Sequence, residues 1–291
     1  MPEWTGTFAG AGLYPDLPED LYHRDVVPEG SLSVTSARLL LPPSVPAKFK
    51  WAREHPHKST AAMDLGTTVH GMALGTGAEV AVVQADSWRT KAAQNERDEA
   101  EGLGMVPMLA KDYAEAKAIA DAMLAHPTAG ALLEGVDPEV SMFAVDPEFG
   151  IWLRGRADAV TMAYSMPTVV DVKTTKDASP AGFAKSVADF GYHRQDPWYR
   201  QLWAAILGCD PDEIDFVFAV VETEPPYLVA TYRVDAAAVD VGREQNRIAR
   251  EVYADCTESG IWPGYSEEIE DLELPYYKRR QMEREISDWH E

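Results

Sequence analysis

The sequence predicts an α/β fold, and three stretches carry the prediction. Trp152 to Thr175 reads as two paired strands, because runs rich in Val, Ala and Thr flank the turn-like Tyr164-Ser165-Met166-Pro167. Ile214 to Val221 is an almost unbroken apolar run, the pattern of a buried strand, with Tyr227 to Val234 beyond Pro225-Pro226 as its hairpin partner. Ala110 to Leu124 sets Tyr113, Ala116, Ile119, Ala120, Met123 and Leu124 at helical spacing. With a strand at Pro138 to Val145, the core order becomes helix, three strands, helix, strand.

Along the chain, residues 1–30 are rich in Pro, Gly and acidic groups and are expected as an irregular, partly ordered arm with Tyr14, Leu17, Leu21 and Tyr22 as scattered anchors; residues 31–291 are expected as one domain with a C-terminal helical extension. Ser31 to Ser36 offers several N-caps for a short helix at Ala37 to Leu41, stopped by Pro42-Pro43, and Arg38 is a candidate for a binding groove. Lys48, Lys50 and Arg53, interleaved with Phe49 and Trp51 and followed by His55, His57 and Lys58, form the most basic patch of the N-terminal half. That patch reads equally as a stacking and phosphate-contacting surface or as a helix with inward aromatics and solvated lysines. Met63 to Leu74 is a helix with His70 at the edge of its apolar stripe. Residues 88–104 are polar, an exposed loop or helix. Helices follow at Ala181 to Phe190, Tyr192 to Leu207 and Ala236 to Ala254; an acidic loop, EEIEDLEL, precedes a last helix begun by Pro275 and carrying Lys278-Arg279-Arg280 and Arg284.

Composition narrows the function. A chain of 291 residues, 46% of them hydrophobic, can bury a substantial core. It has no membrane-length apolar run, and its start, MPEWTGTFAGAG, lacks the blocks of a signal peptide, so a soluble, cytoplasmic protein with no membrane partner is expected. Cys209 and Cys256 are too few for a disulfide framework or a four-thiolate cluster. A net charge of −22 speaks against nucleic acid, because phosphate contacts draw on Lys and Arg. Bound divalent metals and a locally basic groove would reverse that argument.

The chemistry concentrates on the central pair of strands. Side chains alternate along a strand, so Asp171 and Lys173 project to one side with Val172 turned to the other, and Asp158 on the partner strand can lie beside them. Two convergent carboxylates that meet water suit Mg²⁺ or Mn²⁺, and a neighbouring ammonium can hold the water that the metal acidifies. Glu139 reads either as a third acid facing the metal or as a solvated strand-end residue. Gln195 and Tyr199, four apart, share a helix face; Arg194 and Arg200 are candidate phosphate contacts.

In order, Gly66-Thr67-Thr68-Val69-His70, Gly155-Arg156-Ala157-Asp158, Asp171-Val172-Lys173 and Gln195-Asp196-Pro197-Trp198-Tyr199 resemble the GxxxH, GxxD, DxK and QxxxY set of RecB-type PD-(D/E)xK nucleases. The segments LGTTVHGMAL, AMLAHPTAGALLEG, VVDVKTTKDAS, FAKSVADFGYHRQDPWY and TEPPYLVATYRVD are similar to the nuclease domain of the RecE (exodeoxyribonuclease VIII) family and its phage-encoded relatives, over roughly residues 20–265. The resemblance implies a restriction-endonuclease-like core, a central mixed sheet flanked by helices. It implies His70, Asp158, Asp171 and the Val172 carbonyl as metal ligands, Lys173 as the catalytic lysine, and Gln195 and Tyr199 as supports, with Glu139 as a further acid. It also implies Mg²⁺-dependent 5′-to-3′ digestion of linear duplex DNA, with Mn²⁺ able to substitute. A homo-oligomeric ring and a single-strand annealing recombinase as partner belong to the same expectation.

Competing readings are a RecB-like single-strand nuclease, an endonuclease, or a non-catalytic DNA-binding or assembly subunit, whose signature would be erosion of the Asp/Asp/Lys set. No phosphate-cradling Gly-Lys-Ser/Thr loop, His-Glu-x-x-His helix or Gly-x-Ser-x-Gly elbow is present.

Overall fold

The computed structural model describes residues 4–55, 65–77, 79–162 and 166–289. Its frame is a seven-stranded mixed sheet. Strands β5 (Asp137–Val145), β6 (Trp152–Thr161) and β7 (Thr168–Thr175) run antiparallel in succession, and β8 (Asp215–Glu222) lies parallel to β7. One edge is closed by β9 (Val229–Tyr232) and the other by β1 (Gly12–Tyr14), while β2 (Ser31–Ser33) runs parallel to the start of β6.

Each face of the sheet is covered by helices, as expected where β7 and β8 are buried on both sides. On one face α4 (Leu65–Leu74), α6 (Ala110–Ala125) and α7 (Pro127–Leu133) bring Val69, Ile119, Met123 and Leu132 against Val170, Val172 and Val217. On the other, α8 (Pro180–Phe190), α9 (Gln195–Leu207) and α10 (Ala236–Ser259) bring Phe183, Trp198, Leu202 and Tyr253 against Val140, Met142, Val169 and Phe218. The mixed sheet flanked by helices is the predicted architecture.

The N-terminal arm is more regular than expected, with a strand and a helix, and its anchors pack. Tyr14 and Leu17 are buried, Tyr22 sits on helix α1 (Glu19–Arg24), and all three pack with Phe143 in a small third core. A three-residue strand carries too little periodicity to be read locally; its partner, Ser141 to Phe143, lies far along the chain. Elsewhere the differences are smaller. Ser33 and Ser36 form a reciprocal capping box, so the helical turn begins at α2 (Val34–Ala37) and Arg38 falls on the 3₁₀ turn after it. Residues 88–104 contain a helix, α5 (Lys91–Gly102), beside a two-stranded parallel sheet of β3 (Val80–Val83) and β4 (Val106–Leu109). Helix α10 runs past Ala254 to Ser259, ending on Gly260 at φ 71°. The closing helix, α11 (Tyr276–Asp288), is exposed along its whole length. His57, Lys58, Met63, Tyr164 and Ser165 lie outside the described residues.

Candidate active site

The site grows out of a fork in the sheet. β2 pairs with β6 at Trp152 to Arg154, and β7 pairs with it at Ala159 to Thr161, so Gly155 to Asp158 face the gap between them. Backbone polar groups in such a gap must be satisfied by other means. Helix α9 supplies two donors: Trp198 Nε1 to the Arg154 carbonyl at 3.0 Å and the Tyr199 hydroxyl to the Arg156 carbonyl at 2.8 Å. The Asp158 carboxylate closes the fork by accepting the Val172 N–H at 2.7 Å. Gly155 lets the helix come this close, since a Cβ there would stand 2.7 Å from Tyr199 Cε1 and 2.9 Å from Leu202 Cδ1.

Both strands distort at the same level. The ladder passes from Pro138↔Ala159 to Val140↔Ala157 around Glu139, which holds φ 54°, a conformation that non-glycine residues adopt where the surroundings enforce it. Across from it β6 changes phase: Ala157 and Val160 enter one core and Ala159 the other. Glu139 and Asp158 are thereby turned into one cleft.

That cleft has a volume of about 860 Å³ and is lined by His70, Glu139, Asp158, Asp171, Val172, Lys173, Gln195 and Tyr199 among others. His70, from α4, stands between two carboxylates, with Nε2 at 2.9 Å from Asp158 and Nδ1 at 3.3 Å from Glu139. Burial works against its charge, but Asp158 and then Glu139 lift its pKa to about 9. The buried Asp171 carboxylate is paired with Lys173; burial pushes its pKa up to about 6, with the Asp158 charge adding to the rise and Lys173 opposing it. Burial likewise disfavours the Lys173 ammonium, yet Asp171 and Asp158 hold its pKa above the ordinary lysine value. Asp158 moves the other way: burial would raise it, but His70 and Lys173 keep it below the usual carboxylate range.

The structure thus brings together His70, Glu139, Asp158, Asp171, Lys173, Gln195 and Tyr199. Tyr199 serves the backbone of β6, and the buried Gln195 Oε1 has no hydrogen-bond partner among the described residues. Among the described residues no three His, Cys, Asp or Glu side chains stand as a ready metal cage, and His70 itself fills the place between two acids. The donor chemistry nevertheless fits a divalent cation: three carboxylates, an imidazole and the Val172 carbonyl beside Asp171.

The proposed phosphate contacts divide. Arg38, exposed, and Arg194, half-buried, line a side pocket of about 210 Å³ that shares Thr35, Tyr192 and Gln195 with the cleft. Lys48 and Lys50 are exposed on α3 (Pro46–Glu54), Lys48 donating to the Tyr265 hydroxyl at 2.7 Å. Arg53 and Arg200 have partners within the chain. Arg53 is tied to the Tyr253 hydroxyl at 2.8 Å and lies 3.6 Å from Asp25. Arg200 is held by Asp196, Asp212 and the Pro211 carbonyl.

Two cleft residues were not singled out from the sequence. Tyr192 places its ring centroid 4.9 Å from Lys173 Nζ; its spacing with Gln195 and Tyr199 was the available signal. Arg156 donates to Glu139 at 2.7 Å, a pairing across strands that no local pattern announces.

Fold and fork define a PD-(D/E)xK-type domain. Residues 44–275 match the family described as "PDDEXK-like domain of unknown function (DUF3799)", most of the chain, and the chain belongs to that family. A crystal structure from Eubacterium rectale, described as "Putative exonuclease", superposes with a TM-score of 0.60 at 11% identity, covering 91% of this chain and 98% of that one, and so shares the fold. A second crystal structure, of SSO0001, is 16% identical over 64% of this chain and 83% of its own, with a TM-score of 0.29 that carries no argument. No curated protein matches the sequence. Among the described residues no helix is long and apolar enough to cross a membrane.

Proposed function

We propose that the protein is a divalent-metal-dependent exonuclease that degrades linear duplex DNA from its 5′ ends and leaves 3′ single strands for a strand-annealing recombinase. The observation that carries the reading is the gathering of His70, Glu139, Asp158, Asp171 and Lys173 in one cleft. The four motifs support the RecE-like direction, and the Eubacterium rectale protein of the same fold carries the description "Putative exonuclease".

Asp158, Asp171, Glu139, His70 and the Val172 carbonyl would hold Mg²⁺ or Mn²⁺, which acidifies water and polarises a phosphate when bound. Lys173 stays protonated under the pull of Asp171 and Asp158, so it acts first as a charged donor that orients the attacking water against a phosphate oxygen. In-line attack forms the new P–O bond and breaks the bond to the 3′ oxygen, which leaves and takes up a proton, so the product carries a 5′ phosphate. Arg38 and Arg194 have no carboxylate partner among the described residues and suit the backbone of the cleaved strand. A ring of copies would turn such grooves inward and leave the acidic surface outside, which reconciles a charge of −22 with duplex binding.

The test is a timed digestion of linear duplex labelled at its 5′ or 3′ ends. Early Mg²⁺-dependent release of the 5′ label, abolished by Asp171→Ala and by Lys173→Ala, is expected. Undiminished release by either variant would overturn the site, and rapid cutting of closed circles would replace the exonuclease with an endonuclease.

A further inference from the structure

We infer that Arg156 is a positioning residue that locks Glu139 into the cleft, and that the segment around Leu17 to Tyr22 builds the lock. The inference rests on the nuclease reading of the cleft. The guanidinium of Arg156 reaches three acceptors: Nε donates to Glu139 Oε2 at 2.7 Å, and Nη1 to the Leu17 carbonyl and to Ser141 Oγ, each at 2.9 Å. Its carbon Cζ lies 5.9 Å from the centroid of the buried Tyr22 ring, and Arg154 meets the same ring at 5.5 Å. Arg154 is fixed in turn by the Asp25 carboxylate and by Ser31 Oγ at 2.9 Å.

The consequence for the cleft follows from how Glu139 is divided. One carboxylate oxygen goes to Arg156 and the other faces His70 Nδ1 at 3.3 Å, while His70 Nε2 faces Asp158. A continuous line of polar contacts therefore runs from the Leu17 carbonyl through Arg156, Glu139 and His70 to Asp158. Glu139 needs such a tether because its backbone, at φ 54°, has left the ladder that would otherwise fix its direction. The guanidinium spreads its donors over Nε and Nη1 in a fixed fork that meets the carboxylate, the carbonyl and the hydroxyl from two atoms. An ammonium also has three donors, but on one atom that would have to come within reach of all three acceptors. Leu17 and Tyr22 precede residue 44, where the family match begins, so the N-terminal side of the lock lies outside the matched region while Arg156, Glu139 and Ser141 lie within it.

The experiment compares wild type, Arg156→Gln and Arg156→Lys, together with Glu139→Gln and the Arg156→Gln/Glu139→Gln double variant. Cleavage of linear duplex is followed across a Mn²⁺ titration. Melting temperatures without and with Mn²⁺ confirm that each protein is folded and report Mn²⁺ binding independently of cleavage; the rise with Mn²⁺ should be smaller in Arg156→Gln than in wild type. Arg156→Gln should slow cleavage by about 10–100-fold, the scale of losing the partner that orients a metal-site ligand, and raise the half-saturating Mn²⁺ concentration. Arg156→Lys should fall between Gln and wild type. Arg156→Gln should add little once Glu139 is Gln, because the group it orients is already gone.

Unchanged Mn²⁺ dependence in both Arg156 variants would overturn the inference and leave the nuclease reading standing. So would an equal loss from Arg156→Gln in the presence and absence of the Glu139 carboxylate, the outcome of a merely structural role. A wild type that shows no Mn²⁺-dependent cleavage would overturn the nuclease reading and this inference with it.

Discussion

Asp171 in the cleft and Asp196 on the first turn of α9 resemble each other closely as isolated residues. Each is buried, each pairs with a basic side chain, and burial pushes each pKa up to about 6 against the opposing pull of that partner. Their neighbourhoods differ. Asp196 belongs to a closed seam, where Arg200 straddles it and Asp212 and also donates to the Pro211 carbonyl at 3.0 Å. Asp171 opens onto a cleft of about 860 Å³ with further acids beside it and a lysine backed by the Tyr192 ring. A perturbed carboxylate therefore does not by itself mark a reaction centre; one with room for substrate and convergent partners is a candidate for it.

The largest expected effect separates the two directly. Asp171→Asn should lower the cleavage rate by at least about 10²-fold, the scale of losing one electrostatic contributor to a transition state. Asp196→Asn keeps a side chain of the same shape for Arg200 to hold, and should leave the rate within roughly threefold while shifting stability by about 1 kcal/mol. Rates measured on the same linear duplex, beside urea midpoints, decide it. Equal loss of activity from both variants would make the seam part of the machinery.

This difference also shows what the sequence could and could not reveal. Asp171 and Lys173 were legible because strand alternation alone puts them on one side, and the apolar residues around them named the strand. Gly155 was legible as part of a motif, although its physical reason, the approach of Tyr199 and Leu202, lies in another element. The partners of Arg200 and Arg53 within the chain were not legible because helical spacing gives a face but not what the face meets. In residues 1–30 the anchors Tyr14, Leu17, Leu21 and Tyr22 were legible, but the strand and helix that carry them were not, because their packing depends on Phe143 and Trp152, which no local pattern near Tyr14 contains. Glu139 stayed ambiguous because its direction is set by a positive φ and by Arg156.

A second, smaller effect is a pair of pH windows in metal-free buffer. Asp171 and Asp196 have folded pKa values of about 6, above the unfolded carboxylate value, so the folded state binds the extra protons. Their contribution is fully present below the unfolded value of about 3.9 and is lost as pH rises through about 6. His70, lifted to about 9, contributes stability that is present below about 6.5 and lost as pH rises through 9. Each window should change stability by on the order of 1–3 kcal/mol. In urea titrations across pH, Asp196→Asn should flatten part of the acid window only. His70→Gln should remove the alkaline window and also alter the acid one, because His70 holds the Asp158 and Asp171 carboxyls down. If Asp196→Asn flattened the alkaline window, the seam and the cleft would be electrostatically one region.

The smallest effect lies at the outer end of the seam and fixes where its stability resides. Asp212 accepts from Arg200 Nη2 at 2.8 Å, a shorter contact than the 3.3 Å between Arg200 and Asp196, so distance alone would rank the outer acid first. Exposure ranks them the other way: the Asp212 side chain is 74% exposed and that of Asp196 is 5%. In water the Coulomb gain of an exposed pair is weak, screened by salt, and offset by the entropy of holding two mobile side chains. Asp212→Asn should therefore cost under about 0.5 kcal/mol at low salt and nothing measurable at about 1 M salt. Asp196→Asn should keep its larger effect at both ionic strengths, because water and ions do not reach it. Urea midpoints at the two salt concentrations make the comparison. An Asp212→Asn cost that matched Asp196→Asn and survived high salt would mean that the outer acid anchors Arg200. The seam would then be held from its surface, and the contrast with the buried pair in the cleft would no longer rest on burial.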